Sequence, residues 1–246
     1  MPQTKISIRT ADGECPTYVL TPAGTGPWPA AIFYMDRLAM RPALVEMAQR
    51  LADGGYVVLL PDLHYRIGPY EPLDLKAVFA TKDVRAAIAH LLDSTDNRRA
   101  AADTAAFLEY LDTRTDIAGT KVGTTGYCMG GGISLTVAGT YPERISAAAS
   151  FHGGALATDS ELSPHRLAPE IKGRVYVAGA ENDEVYPPEQ AERLEQALTD
   201  AGVDHLCEIY AGAAHGWTMT DLPAYNEAAA ERHWQALFKL FEETLH

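Results

Sequence analysis

Lys121-Val122-Gly123-Thr124-Thr125-Gly126-Tyr127-Cys128-Met129-Gly130-Gly131-Gly132-Ile133-Ser134-Leu135 is the stretch whose reading decides the fold. A short β-prone run, Val122 to Thr125, reaches Gly126. Cys128 then stands two residues from a glycine on each side, Gly126 and Gly130. Beyond Gly132 a helical pattern begins with Ile133 and Val137. A strand that turns this sharply into a helix is a nucleophile elbow. The apex residue is held in a strained backbone conformation. Its neighbours must be small, because strand and helix crowd together there. The apex side chain is displayed above the sheet at the positive end of a helix, where a thiolate is favoured and an oxyanion is stabilised. The competing reading is a buried structural cysteine beside a glycine-rich turn, since free cysteine is among the most buried residue types.

On either side of this stretch, β-prone and helical segments alternate. Ile6, Ile8 and Tyr18 to Leu20 sit in β-prone runs about an Asp12-Gly13 turn. Ala30 to Tyr34 is a continuous apolar run, as in a buried parallel strand. Leu44, Met47, Ala48 and Leu51 have helical spacing, closed by Gly54-Gly55. Tyr56 to Leu60 reads as another buried strand and Leu63 to Asp74 as irregular. Val84, Ile88, Leu91 and Leu92 predict one helix, and a second runs near Ala101 to Leu111. After the elbow helix come a strand at Ile145 to Phe151 and a polar connection from Ser160 to Lys172. A strand at Val175 to Ala178 follows, then a helix opened by Pro187-Pro188. A strand at Leu206 to Tyr210 precedes a last helix with Trp234, Leu237, Phe238, Phe241 and Leu245 on one stripe. Strands alternating with helices predict an α/β fold, a mostly parallel sheet with helices on both faces. With no repeat and no linker composition, residues 1–246 are expected to form one domain.

In open α/β sheets chemistry gathers beyond the carboxyl ends of the strands. Asp36, Cys128, Asp183 and His215 each follow a predicted strand directly, so all four are expected at one rim. The chain order Cys128, Asp183, His215 is nucleophile, acid, base, the order of an α/β-hydrolase triad. Cys128 would attack an acyl carbonyl, His215 would move the proton, and Asp183 would set the imidazole tautomer. The bland alternatives are a loop histidine and a helix-capping carboxylate near Pro187. Backbone N–H groups of Met129 and Arg37 are the expected oxyanion hole, with both side chains incidental.

Gly126-Tyr127-Cys128-Met129-Gly130-Gly131 resembles the signature of the dienelactone hydrolase family, the cysteine branch of the α/β-hydrolases. Gly212-Ala213-Ala214-His215-Gly216-Trp217 and Tyr225 to Ala229 resemble its histidine loop and final helix, and the likeness runs from about Ala30 to the end. The resemblance implies a cofactor-free hydrolase of a small-molecule ester or lactone. A thioesterase, another acyl transferase on the same triad, or a non-enzymatic binding protein on this scaffold are the alternatives. The resemblance also implies a carboxylate at Asp36 that contacts the cysteine at rest and keeps it protonated. The family more often has glutamate there. Pairing of Asp36 with Arg37 or Arg41, or capping of the next helix, is the alternative. The family's arginine shortly after the histidine is missing, since Trp217, Thr218 and Met219 follow and the next arginine is Arg232. Arg66, Arg98 or Arg99 could supply a cation instead. Tyr65, Tyr70, Tyr127, His152 and Trp217 are candidates for an aromatic substrate pocket, with core packing the alternative for each.

Composition narrows the partners. A net charge of −13 opposes binding to nucleic acid or an anionic membrane. The three cysteines, Cys15, Cys128 and Cys207, are odd in number and widely spaced. That suits a reducing compartment, the cytoplasm, better than a disulfide framework. No metal-ligand spacing, P-loop or dinucleotide fingerprint is present, and no cofactor is expected. A monomer or homodimer is anticipated.

Overall fold

The computed structural model describes residues 3–81 and 83–246. Its strands are β1 (Gln3–Thr10), β2 (Gly13–Leu20), β3 (Trp28–Tyr34), β4 (Val57–Pro61), β5 (Ile117–Tyr127), β6 (Ile145–Phe151), β7 (Arg174–Asn182) and β8 (His205–Ala214). They join one eight-stranded sheet in the order β1-β2-β4-β3-β5-β6-β7-β8. The first two strands pair antiparallel and β2 meets β4 antiparallel. Every other pairing is parallel. The apolar runs at Ala30–Tyr34 and Val57–Leu60 are fully buried because helices cover both faces of the sheet.

The helices are α1 (Pro42–Asp53), α2 (Leu75–Ala80), α3 (Val84–Ala87), α4 (Ala89–Leu92), α5 (Asn97–Asp112), α6 (Met129–Thr140), α7 (Pro188–Asp200) and α8 (Glu227–Leu245). On one face α8 lies against α1, joined by Arg50 and Glu231 at 2.6 Å. On the other α6 packs on β5 and β6 beside α5. The helix expected through Val84 to Leu92 is broken at Ile88 into two four-residue turns. Asp83 caps the first turn through Ala86 N–H, while Ile88 offers no side-chain cap to the second. The connection from Ser160 contains a 3₁₀ turn, Pro164–Glu170. No helix among the described residues is long and apolar enough to cross a membrane.

β5 shows how a period of two sorts the sequence. Thr124 hydrogen-bonds Ser134 on α6 at 2.8 Å, and Gly126 abuts the backbone of Gly130 on the same face. Gly123 abuts Phe241 on α8, and Tyr127 meets His233 of α8 at 3.2 Å. Alternate residues therefore serve opposite layers. A Cβ on Gly126 would lie 1.8 Å from the Gly130 carbonyl oxygen, and one on Gly130 would lie 2.2 Å from that of Tyr34. Both obstacles are backbone, so no side-chain rearrangement relieves them. Gly126→Ala is expected to destabilise the protein by about 4 kcal/mol or more, read by denaturant unfolding.

Candidate active site

Cys128 sits at the junction of β5 and α6 with φ 54° and ψ −114°, a left-handed conformation uncommon outside glycine. Crowding by Gly126, Gly130 and the β3 backbone holds it there. Parallel register aligns the strand ends, with Tyr34 beside Gly126, Tyr127 beside Phe151 and Phe151 beside Ala178. The residues just past these ends consequently share one rim.

At that rim His215 lies beside Cys128 and Asp183. Its Nδ1 is 2.8 Å from Asp183 Oδ2, and the Asp183 side chain is 1% exposed. The second oxygen, Oδ1, accepts the Val185 N–H at 3.0 Å, so the carboxylate is held at both ends. Nδ1 facing the acid leaves Nε2 for the cysteine. Burial pushes the Cys128 thiol up, but the charge and hydrogen bond of His215, with the charge of Arg37, outweigh it and hold the thiol below its ordinary range. Asp36 opposes them weakly. Burial likewise disfavours a charged His215, yet Cys128 and Asp183 hold it above the ordinary imidazole range. The two shifts belong to one coupled pair, and both directions favour moving the thiol proton toward the imidazole.

Met129 N–H is the first of α6, a position with no acceptor inside a helix. Arg37 follows β3 across the rim. Its guanidinium Nε is buried without a partner, and its charge reaches Cys128. From sequence, Arg37 was expected to contribute its backbone N–H alone. A cation one residue past Asp36 is legible in the chain, but the direction of its side chain is not.

The aromatic candidates differ in where they lie. Tyr127 is fully buried on the α8 side, packed on Phe33 and Phe151, because it precedes the apex and points to the opposite face. Trp217 is also fully buried, 4.9 Å from the His152 ring and 5.3 Å from Tyr210. A tight turn in which Met219 N–H bonds the Gly216 carbonyl folds that indole inward. His152 is buried with φ 38°, its Nε2 is 2.7 Å from Thr218 Oγ1, and its ring meets the His215 ring edge at 5.2 Å. Burial, then the charges of His215 and His233, hold it well below the usual imidazole range, so it is neutral. Tyr210, Trp217 and His152 thus form a packed aromatic cluster behind His215.

Tyr65 and Arg66 lie on the side of the β1–β2 hairpin. The Tyr65 hydroxyl donates to Asp103 at 2.9 Å and lies 2.7 Å from Thr10. Arg66 pairs with Asp12 at 2.8 Å and Asp103 at 2.7 Å. Both tie the β1–β2 hairpin to α5 through Asp103. Tyr70 donates to Asp62 at 2.7 Å and accepts from Met40 N–H. Asp36 is 2% exposed and, of the partners weighed from sequence, takes Arg41.

A mostly parallel sheet with a cysteine at the strand-to-helix elbow and a histidine–carboxylate pair on the same rim defines an α/β-hydrolase fold. The dienelactone hydrolase family profile matches residues 15–245, and the chain belongs to that family of hydrolases. Among its relatives is a Synechocystis protein provisionally named a carboxymethylenebutenolidase, 27% identical over 98% of this chain and 97% of its own. A crystal structure of a provisionally named dienelactone hydrolase from Klebsiella pneumoniae superposes with TM-score 0.82, at 22% identity and 98% coverage of both chains. A dienelactone hydrolase-like promiscuous phosphotriesterase from metagenomic libraries superposes with TM-score 0.76 at 24% identity, covering both chains in full. These two structures speak for the fold.

Proposed function

We propose that the protein cleaves a small-molecule ester or lactone through a thioester on Cys128, with His215 and Asp183 completing a triad. The observation that carries this reading is His215 held by a buried Asp183 at 2.8 Å while it lies against a cysteine at a strained elbow. The Cys128 thiolate adds to the acyl carbon, and the carbonyl electron pair moves onto oxygen. In this reading the Met129 and Arg37 N–H groups receive that oxyanion. The pair returns, the C–O bond breaks, and imidazolium His215 gives its proton to the departing alkoxide. Neutral His215 then takes a proton from water, whose oxygen attacks the thioester. The acid leaves and the proton restores the thiolate–imidazolium pair. In a lactone the departing alkoxide stays tethered to the acyl group. The name of the Synechocystis relative supports a butenolide-type lactone as the class to try first.

Rapid-quench mass spectrometry on a p-nitrophenyl ester tests the covalent step. The expected result is a burst of p-nitrophenol with the acyl mass on Cys128. Turnover with Cys128 unmodified at every time point would remove the thioester reading.

A further inference from the structure

β8 closes one side of the sheet, and among the described residues no strand pairs with its outer edge. Its parallel register sets Val175 beside His205, and Val175 N–H donates to the Asp204 carbonyl at 2.9 Å. The ladder to β7 therefore uses the even-numbered residues from Asp204 to Tyr210. The N–H and C=O groups of His205, Cys207 and Ile209 point away from the sheet. Two apolar side chains accompany this free edge. Leu206 is 53% exposed, beside a groove that it shares with Arg232 and Leu240 of α8. Ile209 is 48% exposed on the other face, against Gly179 and Tyr186. The opposite edge, β1, is built differently. Its exposed residues, Gln3, Thr4, Lys5, Ser7 and Arg9, are all polar. Edge strands that stay single carry such charges, prolines or bulges. From His205 to Tyr210, β8 has no proline, no lysine and no break in register.

We propose that this edge pairs with β8 of a second copy of the chain, antiparallel about a two-fold axis at Glu208, so that two sheets become one. The occupant follows from the fit of the row to itself. Outward-facing backbone groups pair odd residue with odd residue. An axis at Glu208 sets Cys207 opposite Ile209 of the partner subunit. It sets Leu206 opposite Tyr210 of the partner subunit, over whose ring the Arg232 guanidinium lies at 4.1 Å. An axis at Cys207 would instead set Leu206 opposite the Glu208 carboxylate and Ile209 opposite His205. Apolar matching selects the first register. Two Glu208 carboxylates then meet on the axis. Each accepts from Arg232 and from the Tyr176 hydroxyl, both at 2.5 Å, and Arg232 is 50% exposed. Two guanidinium groups and two carboxylates therefore alternate across the axis. Arg174 and Asp204 pair beside them at 2.6 Å. The edge is balanced in charge although the chain carries −13, which lets one surface meet its own copy.

Light scattering after size exclusion, repeated over a dilution series, tests the pairing and needs no substrate. Wild type is expected at twice the 26.6 kDa of one chain, dissociating on dilution. Leu206→Lys/Ile209→Lys should weaken association by about 100-fold or more, because pairing would bury two charges in each copy. Both positions are half exposed in the single chain, so the variant should keep the wild-type circular dichroism and thermal midpoint. Glu208→Cys reads the register. Across the axis position 208 meets itself as a non-hydrogen-bonded pair with Cα atoms about 4.5 Å apart, within disulfide reach. Oxidation should link two chains through position 208, seen on non-reducing gels and by peptide mapping. Ser7→Cys on β1 should link none. The proposal is overturned by a single-chain mass at the highest soluble concentration, which would leave the edge to a foreign strand. It is also overturned by a dimer that survives Leu206→Lys/Ile209→Lys, or by a Glu208→Cys dimer that does not link.

Discussion

Cys128→Ala is expected to lower kcat for an ester substrate by about 10⁴-fold or more, with KM changed far less. On the proposed path the sulfur makes the bond that divides the reaction into two easier steps, and alanine would leave only the oxyanion donors and the binding surface. The rest of the site should survive the change. Gly126, Gly130 and the β3 backbone impose the elbow conformation, and alanine at φ 54° carries the same Cβ that cysteine does. Stability should therefore be near wild type, while the loss of the thiolate removes the charge that most raises the His215 pKa after burial is counted. A variant with wild-type turnover, checked for contaminating esterase by inhibitor titration, would refute Cys128 as nucleophile.

Asp183→Asn should cost about 10⁴-fold in kcat near neutral pH. Asp183 Oδ2 accepts from His215 Nδ1, which fixes the tautomer with Nε2 toward the cysteine. An asparagine turned so that its amide donates to Nδ1 favours the other tautomer, and its neutral amide no longer stabilises the imidazolium. Oδ1 keeps its bond from Val185 N–H, so the loop after β7 should hold its shape. The sign of the pH effect follows from the direction of the shift. His215 titrates above its unfolded value of 6.5, so its charge contributes stability that is complete below that pH and is lost as pH rises through the folded value. In Asp183→Asn the folded value falls. The alkaline limb of kcat/KM should move to lower pH, and the alkaline decline in unfolding free energy should flatten. An alkaline limb that stays in place would show that Asp183 does not govern His215.

The parts of the site that were legible in the chain are those set by local rules. Gly126-Tyr127-Cys128-Met129-Gly130 announces an elbow because only glycine lets strand and helix approach so closely. Cys128, Asp183 and His215 could be placed on one rim because each follows a strand end, and parallel strands put their carboxyl ends together. The breaks were legible in part. Asp12-Gly13 and Pro187-Pro188 mark a turn and a helix start that the structure keeps, whereas the break at Ile88 has no proline or glycine to announce it.

Direction was harder to read than position. Tyr127 stands next to Cys128 in the chain and faces the other layer of the protein. The period of two in a strand carried that signal, since Thr124 and Gly126 had to face α6. Trp217 lies two residues past His215, yet the turn at Gly216 sends it into the core behind the imidazole. Nothing in local spacing distinguishes a tryptophan that lines a cleft from one that backs a histidine.

By itself the sequence determined the class of fold, the residue at the elbow apex and the strand ends that carry Cys128, Asp183 and His215, because strand ends, glycine crowding and helical periodicity are local properties of a chain. Tertiary structure alone decided which charges cancel. Arg41 reaches Asp36 five residues away and Asp221 across 180 residues, and whether the Asp36 carboxylate stands as an unpaired charge at the rim depends on that meeting. Coulomb energies follow distance in space, and distance in space is what a folded chain adds to its sequence.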